Sequence, residues 1–182
     1  MKSLKDLYSL IATLKTTKRQ GWLLKGMDSD VIASHAYGAM CIGFFLAKEQ
    51  GVDANKVVQM LLVHDWVMAK MQDVTPPSGK YSQKRDMEQV AKRVIYSLTP
   101  KVIQEDYLIL FDEFNTQKTQ ESQVAKEADK IETLLQGEAY EESTGNSEVL
   151  DGFFEGYEEV FKTKLGKQIF QDLKKRDLKR KC

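Results

Sequence analysis

Three prolines, Pro76, Pro77 and Pro100, are all that interrupt a chain of 182 residues. Proline removes a backbone donor and clashes with the preceding turn, so helices stop where prolines stand. The rest of the chain is open to long helices. Apolar residues recur there at three- and four-residue spacings, as in Leu7, Leu10, Ile11 and Leu14, or Val57, Met60 and Leu61. That is the period of an amphipathic helix. No stretch of four or more residues alternates apolar and polar with β-branched enrichment, so no strand is expected. The chain reads as all-α.

Turn and cap residues divide it further. The first helix is expected over about 4–16, followed by a loop holding Gly21, Trp22 and Gly26. Asp28, Ser29 and Asp30 offer side-chain oxygens to cap a helix running to Gln50, with Gly51 just past its end. Asp53 caps the next helix, through His64. Pro76, Pro77 and Gly79 make 72–81 a loop, and Ser82 caps a helix that Thr99 and Pro100 end. Helices over about 102–115 and 119–137 follow. Another is expected from Gly145, Asn146 and Ser147 to about Gly166, and a last one to the C-terminus.

The length fits one domain. Lys and Arg total 27 and Asp and Glu total 27, which argues against a general polyanion binder. The one shift in composition is the tail: residues 162–182 hold nine Lys or Arg and two Asp. A solvated helix face is the simpler reading of such a run. A nucleic-acid or acidic-partner patch is the sharper one, weakened because Phe170 alone interleaves the charges. No run is apolar enough to span a membrane, and no signal peptide is recognisable. Cys41 and Cys182 form no framework, so a reducing, cytoplasmic compartment is expected, with Cys41 in the core.

Chemistry is concentrated in a few residues. The chain has two histidines, His35 and His64, and both sit in apolar helical stripes. A buried histidine is more often a satisfied core residue than a ligand, yet having both there is unusual. Asp65 follows His64 at once and enters an apolar layer after Met60, Leu61, Leu62 and Val63. A buried carboxylate needs a cation or donors. Adjacent residues on a helix diverge by about 100°, so the pair can reach one metal only where the helix unwinds. Asp129, in a setting of Ala125, Ala128 and Ile131, has two readings: a partly exposed charge paired to Lys126 or Lys130, or another ligand. Two imidazoles and two carboxylates suit Mn²⁺, Fe²⁺, Co²⁺, Ni²⁺ or Zn²⁺, with Mg²⁺ also compatible.

The order and spacing of several segments resemble the HD-domain metal-dependent phosphohydrolases. Within them the chain is similar to the small single-domain proteins that include bacterial 5′-deoxynucleotidases and their archaeal and eukaryotic relatives. The segments are LKTTKRQGW at 14–22, VIASHAYGAM at 31–40, VVQMLLVHDWVMAKMQDVTP at 57–76, FDEF at 111–114 and EADKIETLLQGEAYEE at 127–142. The resemblance covers about 7–142. It implies an all-α HD fold over 1–166, with 167–182 as a basic C-terminal helix or tail. It implies one divalent metal held in the core by His35, His64, Asp65 and Asp129. Arg19 maps to a phosphate-contacting arginine, Trp22 to a pocket wall or core, and Asp73 to an aspartate near the sugar. Asp65 and Asp73 are then the candidate catalytic residues. A small phosphorylated substrate, a nucleotide by resemblance, and a homodimer are implied as partners; neither a membrane nor nucleic acid is.

Three positions depart from the family pattern. Met68 stands where the family has a glutamate beside the water and substrate. Gln72 replaces the glycine before Asp73, and Ser34 replaces a glutamate before His35. Methionine cannot take a proton or orient water strongly. Losing a general acid or base typically costs about 10²–10⁴-fold in rate. Two readings follow: a phosphomonoesterase with an altered catalytic shell, or a protein that binds metal and a nucleotide-like ligand with little turnover. A third is an unrelated role of the basic tail, with the HD core as scaffold.

Overall fold

The computed structural model describes residues 4–71 and 84–181. Among these, ten α-helices and no strand are present, and one isolated antiparallel bridge joins Lys18 to Val31. The helices are α1 (Leu4–Leu14), α2 (Gln20–Leu24), α3 (Ile32–Gln50), α4 (Ala54–Val63), α5 (Met68–Met71), α6 (Lys84–Leu98), α7 (Gln104–Thr116), α8 (Gln120–Thr144), α9 (Phe153–Tyr157) and α10 (Lys164–Arg180). The all-α expectation holds. The chain divides into two compact units, one of 1–36 and 63–112, the other of 37–62 and 113–182.

The first unit is built on one apolar cluster. Leu10 and Leu14 of α1 meet Ile32, Val63, Trp66, Val67, Met68, Met71, Ala91, Ile95, Tyr107 and Phe111. Trp66 stacks on Tyr107 with ring centroids 5.7 Å apart and an interplanar angle of 14°. Burial pushes the Tyr107 hydroxyl well above its ordinary pKa. Thr17, Lys18 and Arg19 run alongside Asp30, Val31 and Ile32. The Arg19 N–H donates to the Asp30 carbonyl at 3.1 Å and the Ile32 N–H to the Thr17 carbonyl at 2.9 Å. The stretch expected as a plain loop therefore contains α2 and this bridge. Ser29 caps no helix: its hydroxyl donates to the Arg19 carbonyl at 2.9 Å, and α3 begins later, at Ile32.

The second unit is organised around α8. Gly43 of α3 leaves room for α4 and α8: a Cβ there would overlap Leu61 Cδ1 and lie 3.1 Å from Val57 Cγ1 and 3.5 Å from Ala128 Cβ. Asp53 Oδ1 accepts the Asn55 and Lys56 N–H groups at 2.9 and 3.1 Å, the cap expected for α4. Thr119 and Ser122 form a reciprocal capping box that starts α8. Thr163 caps α10 by accepting the Gly166 N–H at 3.0 Å.

Two expectations are corrected here. The helix expected over about 147–166 is broken into turns, the short α9 and a 3₁₀ turn at Glu158–Val160. Gly152 adopts φ +82°, a left-handed geometry that interrupts a helix. Cys41 is exposed rather than in the core. Its helix is apolar on more than one face, so apolar neighbours did not mark the buried side. The loop 72–81 and the Ser82 cap lie outside the described residues.

Candidate metal centre

Helix α4 ends at Val63, and His64 to Val67 form turns before α5. That unwinding lets two adjacent side chains aim at one place. His64 Nε2 lies 3.3 Å from Asp65 Oδ2, and His35 Nε2 lies 3.7 Å from the same oxygen. The two imidazoles meet edge to face with centroids 5.6 Å apart. Both histidines are buried, and the Asp65 side chain is 17% exposed. Metal–nitrogen and metal–oxygen bonds of about 2.1 Å place neighbouring ligand atoms about 3.0–3.4 Å apart. The His64–Asp65 separation falls in that range and His35 is only slightly wider. Two imidazoles aimed at one carboxylate oxygen, with little solvent, make a donor set that fits a divalent transition ion.

Asp129 lies on α8 in the second unit, on a helix whose neighbours were read as apolar. It is buried, not partly exposed. Its Oδ2 is 3.0 Å from Lys130 Nζ and 3.8 Å from Lys126 Nζ, so the lysine pairing considered from sequence does occur. Lys126 Nζ sits 4.2 Å from the Phe114 ring centroid, and Lys130 Nζ 5.1 Å from that of Tyr157. Asp129, like the two histidines, presents a buried ligand atom.

Arg19 is not an ordinary surface charge. Its side chain is 13% exposed, lies 3.9 Å from the Asp30 carboxylate and has its guanidinium carbon 5.5 Å from the Trp22 ring centroid. Trp22 is 1% exposed and serves as core. Met68 is packed in the apolar cluster with Trp66 and Met71, and its N–H donates to the Asp65 carbonyl at 3.0 Å. Ser34 is exposed. Asp73 and Gln72 lie outside the described residues.

Three basic residues of the tail form ion pairs with acidic ones. Arg176 pairs with Glu138 at 2.7 Å, Arg180 with Glu138 and with Glu141 at 3.0 Å, and Lys181 with Asp151 at 2.6 Å and Asp177 at 2.9 Å. Sequence reading missed the aromatic supports of Lys126 and Lys130. The only local signal was their four-residue spacing about Asp129.

The HD domain family model matches residues 11–173, and the chain belongs to that family. It is similar to 5′-deoxynucleotidase HDDC2 of Bos taurus, with 25% identity over 148 residues, covering 80% of this chain and 72% of the relative. It is similar to 5′-deoxynucleotidase YGK1 of Saccharomyces cerevisiae, with 29% identity over 155 residues, covering 80% and 70%. A solved structure of a conserved hypothetical protein from Pyrococcus furiosus superposes with a TM-score of 0.77 at 26% identity, covering 95% of this chain and 99% of that one.

Proposed function

We propose that this HD-domain protein is a metal-dependent phosphomonoesterase acting on nucleoside 5′-monophosphates or similar small phosphate esters. The observation that carries the reading is the convergence of both imidazoles on the Asp65 carboxylate. The relatives named 5′-deoxynucleotidases support the substrate class. His35, His64, Asp65 and Asp129 are the proposed ligands of one divalent ion. Within the second unit α3 packs on α8 at Gly38, where a Cβ would lie 3.0 Å from Glu132 Cγ. A bound ion would lower the pKa of a water and polarise a phosphoryl oxygen.

The chain's own residues divide the remaining work. Arg19, held against Trp22, is proposed to bind the phosphate. Asp65 orients the attacking side of the site, and Asp73 is proposed to meet the sugar and to handle a proton that Met68 cannot. A homodimer is proposed as the working form. It suits the exposed Tyr37, Phe44 and Phe45 on α3. A cytoplasmic location is proposed too; no helix among the described residues is long and apolar enough to cross a membrane.

A second reading rests on Met68. Its burial in an apolar cluster favours a protein that holds metal and a phosphate ligand without efficient turnover. Phosphate release from a panel of ribo- and deoxynucleoside 5′-monophosphates, with Mn²⁺, Co²⁺ or Mg²⁺, separates the two. Release above an Asp65→Ala control supports the hydrolase. None, from protein carrying one metal per chain, supports the binding protein.

A further inference from the structure

We infer that the outward face of α10 docks on an anionic lipid surface, its lysines drawn to the headgroups and Leu178 set against the interface, while the helix stays packed on the protein. The metal centre plays no part in this role.

The basic residues of α10 and its C-cap divide by direction. Arg176, Arg180 and Lys181 pair with Glu138, Glu141 and Asp151. Lys164, Lys167, Lys174, Lys175 and Lys179 do not join those pairs. At about 100° per residue these five lysines fall within an arc of about 140° on one side of the helix. Lys164, Lys167, Lys175 and Lys179 are exposed, and Lys174 partly so. Among the described residues, the one ion pair on this face joins Lys175 to Asp172 at 3.7 Å, with both side chains open to water. Such a pair is worth little and is screened by salt. Leu178, 56% exposed, lies inside the same arc. The opposite side carries Gly166, Phe170, Leu173 and Asp177, all buried.

These features select the partner. Lys164 and Lys179 are fifteen residues apart, so the row is about 23 Å long. A straight row of that length meets a flat surface along all of it. An anionic leaflet attracts clustered lysines as a diffuse field, with about a 5-fold gain in affinity for each. Nucleic acid fits less well. The arginines, whose planar fork grips phosphate bidentately, are engaged by Glu138 and Glu141. No aromatic side chain on this face offers a platform for stacking bases. Leu178 would meet no apolar group on a phosphate backbone, whereas a headgroup boundary favours its burial. The apolar side of α10 is already occupied: the Phe170 ring centroid lies 4.4 Å from that of Phe161 and 5.7 Å from that of Phe154. The contact is therefore peripheral and electrostatic, not that of an amphipathic helix sinking into lipid.

Co-sedimentation of the full chain with phosphatidylcholine vesicles, alone or mixed equally with phosphatidylserine, tests this. Binding is expected only where phosphatidylserine is present, and it should fall as salt is raised. Lys167→Gln and Lys179→Gln are each expected to weaken it about 5-fold, and together about 30-fold, at an unchanged melting temperature because both positions are exposed. Lys167→Arg should retain it. Leu178→Gln should weaken it without altering its salt dependence. Lys48→Gln removes the same charge from α3 and is expected to change the affinity less than about 2-fold. An equal loss in Lys48→Gln would reveal a net-charge effect and overturn the docking face. Equal affinity for the two vesicle types, or binding unmoved in the paired lysine variant, would overturn it as well. Tighter binding to an RNA or DNA duplex at the same salt, lost in the same lysine variants, would overturn the lipid assignment in favour of a nucleic-acid backbone.

Discussion

Glu127 and Thr163 are joined twice: one carboxylate oxygen accepts the Thr163 N–H at 2.6 Å, and the other accepts its hydroxyl at 2.6 Å. The first oxygen also accepts the Lys162 N–H at 2.7 Å. A fully buried carboxylate on α8 thus satisfies the donors at the start of α10, where the helix dipole favours negative charge. Gly166 is required beside it, since a Cβ there would overlap the carboxylate. Glu127→Ala is expected to lower stability by about 3 kcal/mol, because it strands partly buried donors. Gly166→Ala is expected to destabilise by displacing the same group. Denaturant unfolding measures both, and wild-type stability in Glu127→Ala would disprove the role.

Asp65→Ala is expected to abolish metal binding. Losing a partner that merely orients a ligand typically costs about 10–100-fold in affinity, and losing the carboxylate itself should exceed that. Metal content after gel filtration is the readout. Chelation of the wild type should lower its melting temperature, and re-addition of Mn²⁺ or Co²⁺ should restore it, because a ligand that binds only the native state stabilises it.

Met68→Glu should trade stability for turnover. Met68 lies in an apolar cluster, so a carboxyl there is expected to cost roughly 1–3 kcal/mol. If the hydrolase reading holds, phosphate release per folded molecule should rise, by up to about 10²-fold as for a restored general acid or base. No gain in folded, metal-loaded protein would show that position 68 does not limit the reaction.

Lys56 Nζ lies 2.7 Å from Glu113, whose carboxylate also accepts the Thr119 hydroxyl at 2.6 Å. Burial opposes ionisation of Glu113, but Lys56 and Thr119 prevail and hold its pKa below the ordinary value. The Glu113 hydrogen bond holds Lys56 above its own ordinary value, though burial opposes it. A depressed carboxyl contributes stability above its unfolded pKa and loses it as pH falls through the folded one. A raised ammonium contributes below its unfolded pKa and loses it as pH rises through the folded one. The pair is therefore expected to contribute fully from about pH 4.5 to 10.5, its two ordinary values. The stability gap between wild type and Glu113→Gln should shrink on the acid side of that window. A gap that is constant down to strongly acid pH would refute the linkage.

Local sequence determined the helical class, the Asp53 cap of α4, the Thr119 start of α8 and the His64–Asp65 pair at a helix end. Each depends on residues within a turn or two of one another, where spacing and cap chemistry act directly. Tertiary structure decided the rest. Cys41 and Ala39 share one apolar helix, and only packing left the first exposed and the second buried. Glu127 reads as one more acidic residue until α10 is brought to it, 36 residues on. The basic tail reads as a solvated helix face, and only folding brings Glu138 and Glu141 to Arg176 and Arg180. Lys126 and Lys130 read as counterions of Asp129, and only folding sets them against Phe114 and Tyr157 of other helices. Periodicity reports which face of a helix is apolar, but not which distant group will face it, because that choice depends on contacts formed only when the chain has folded.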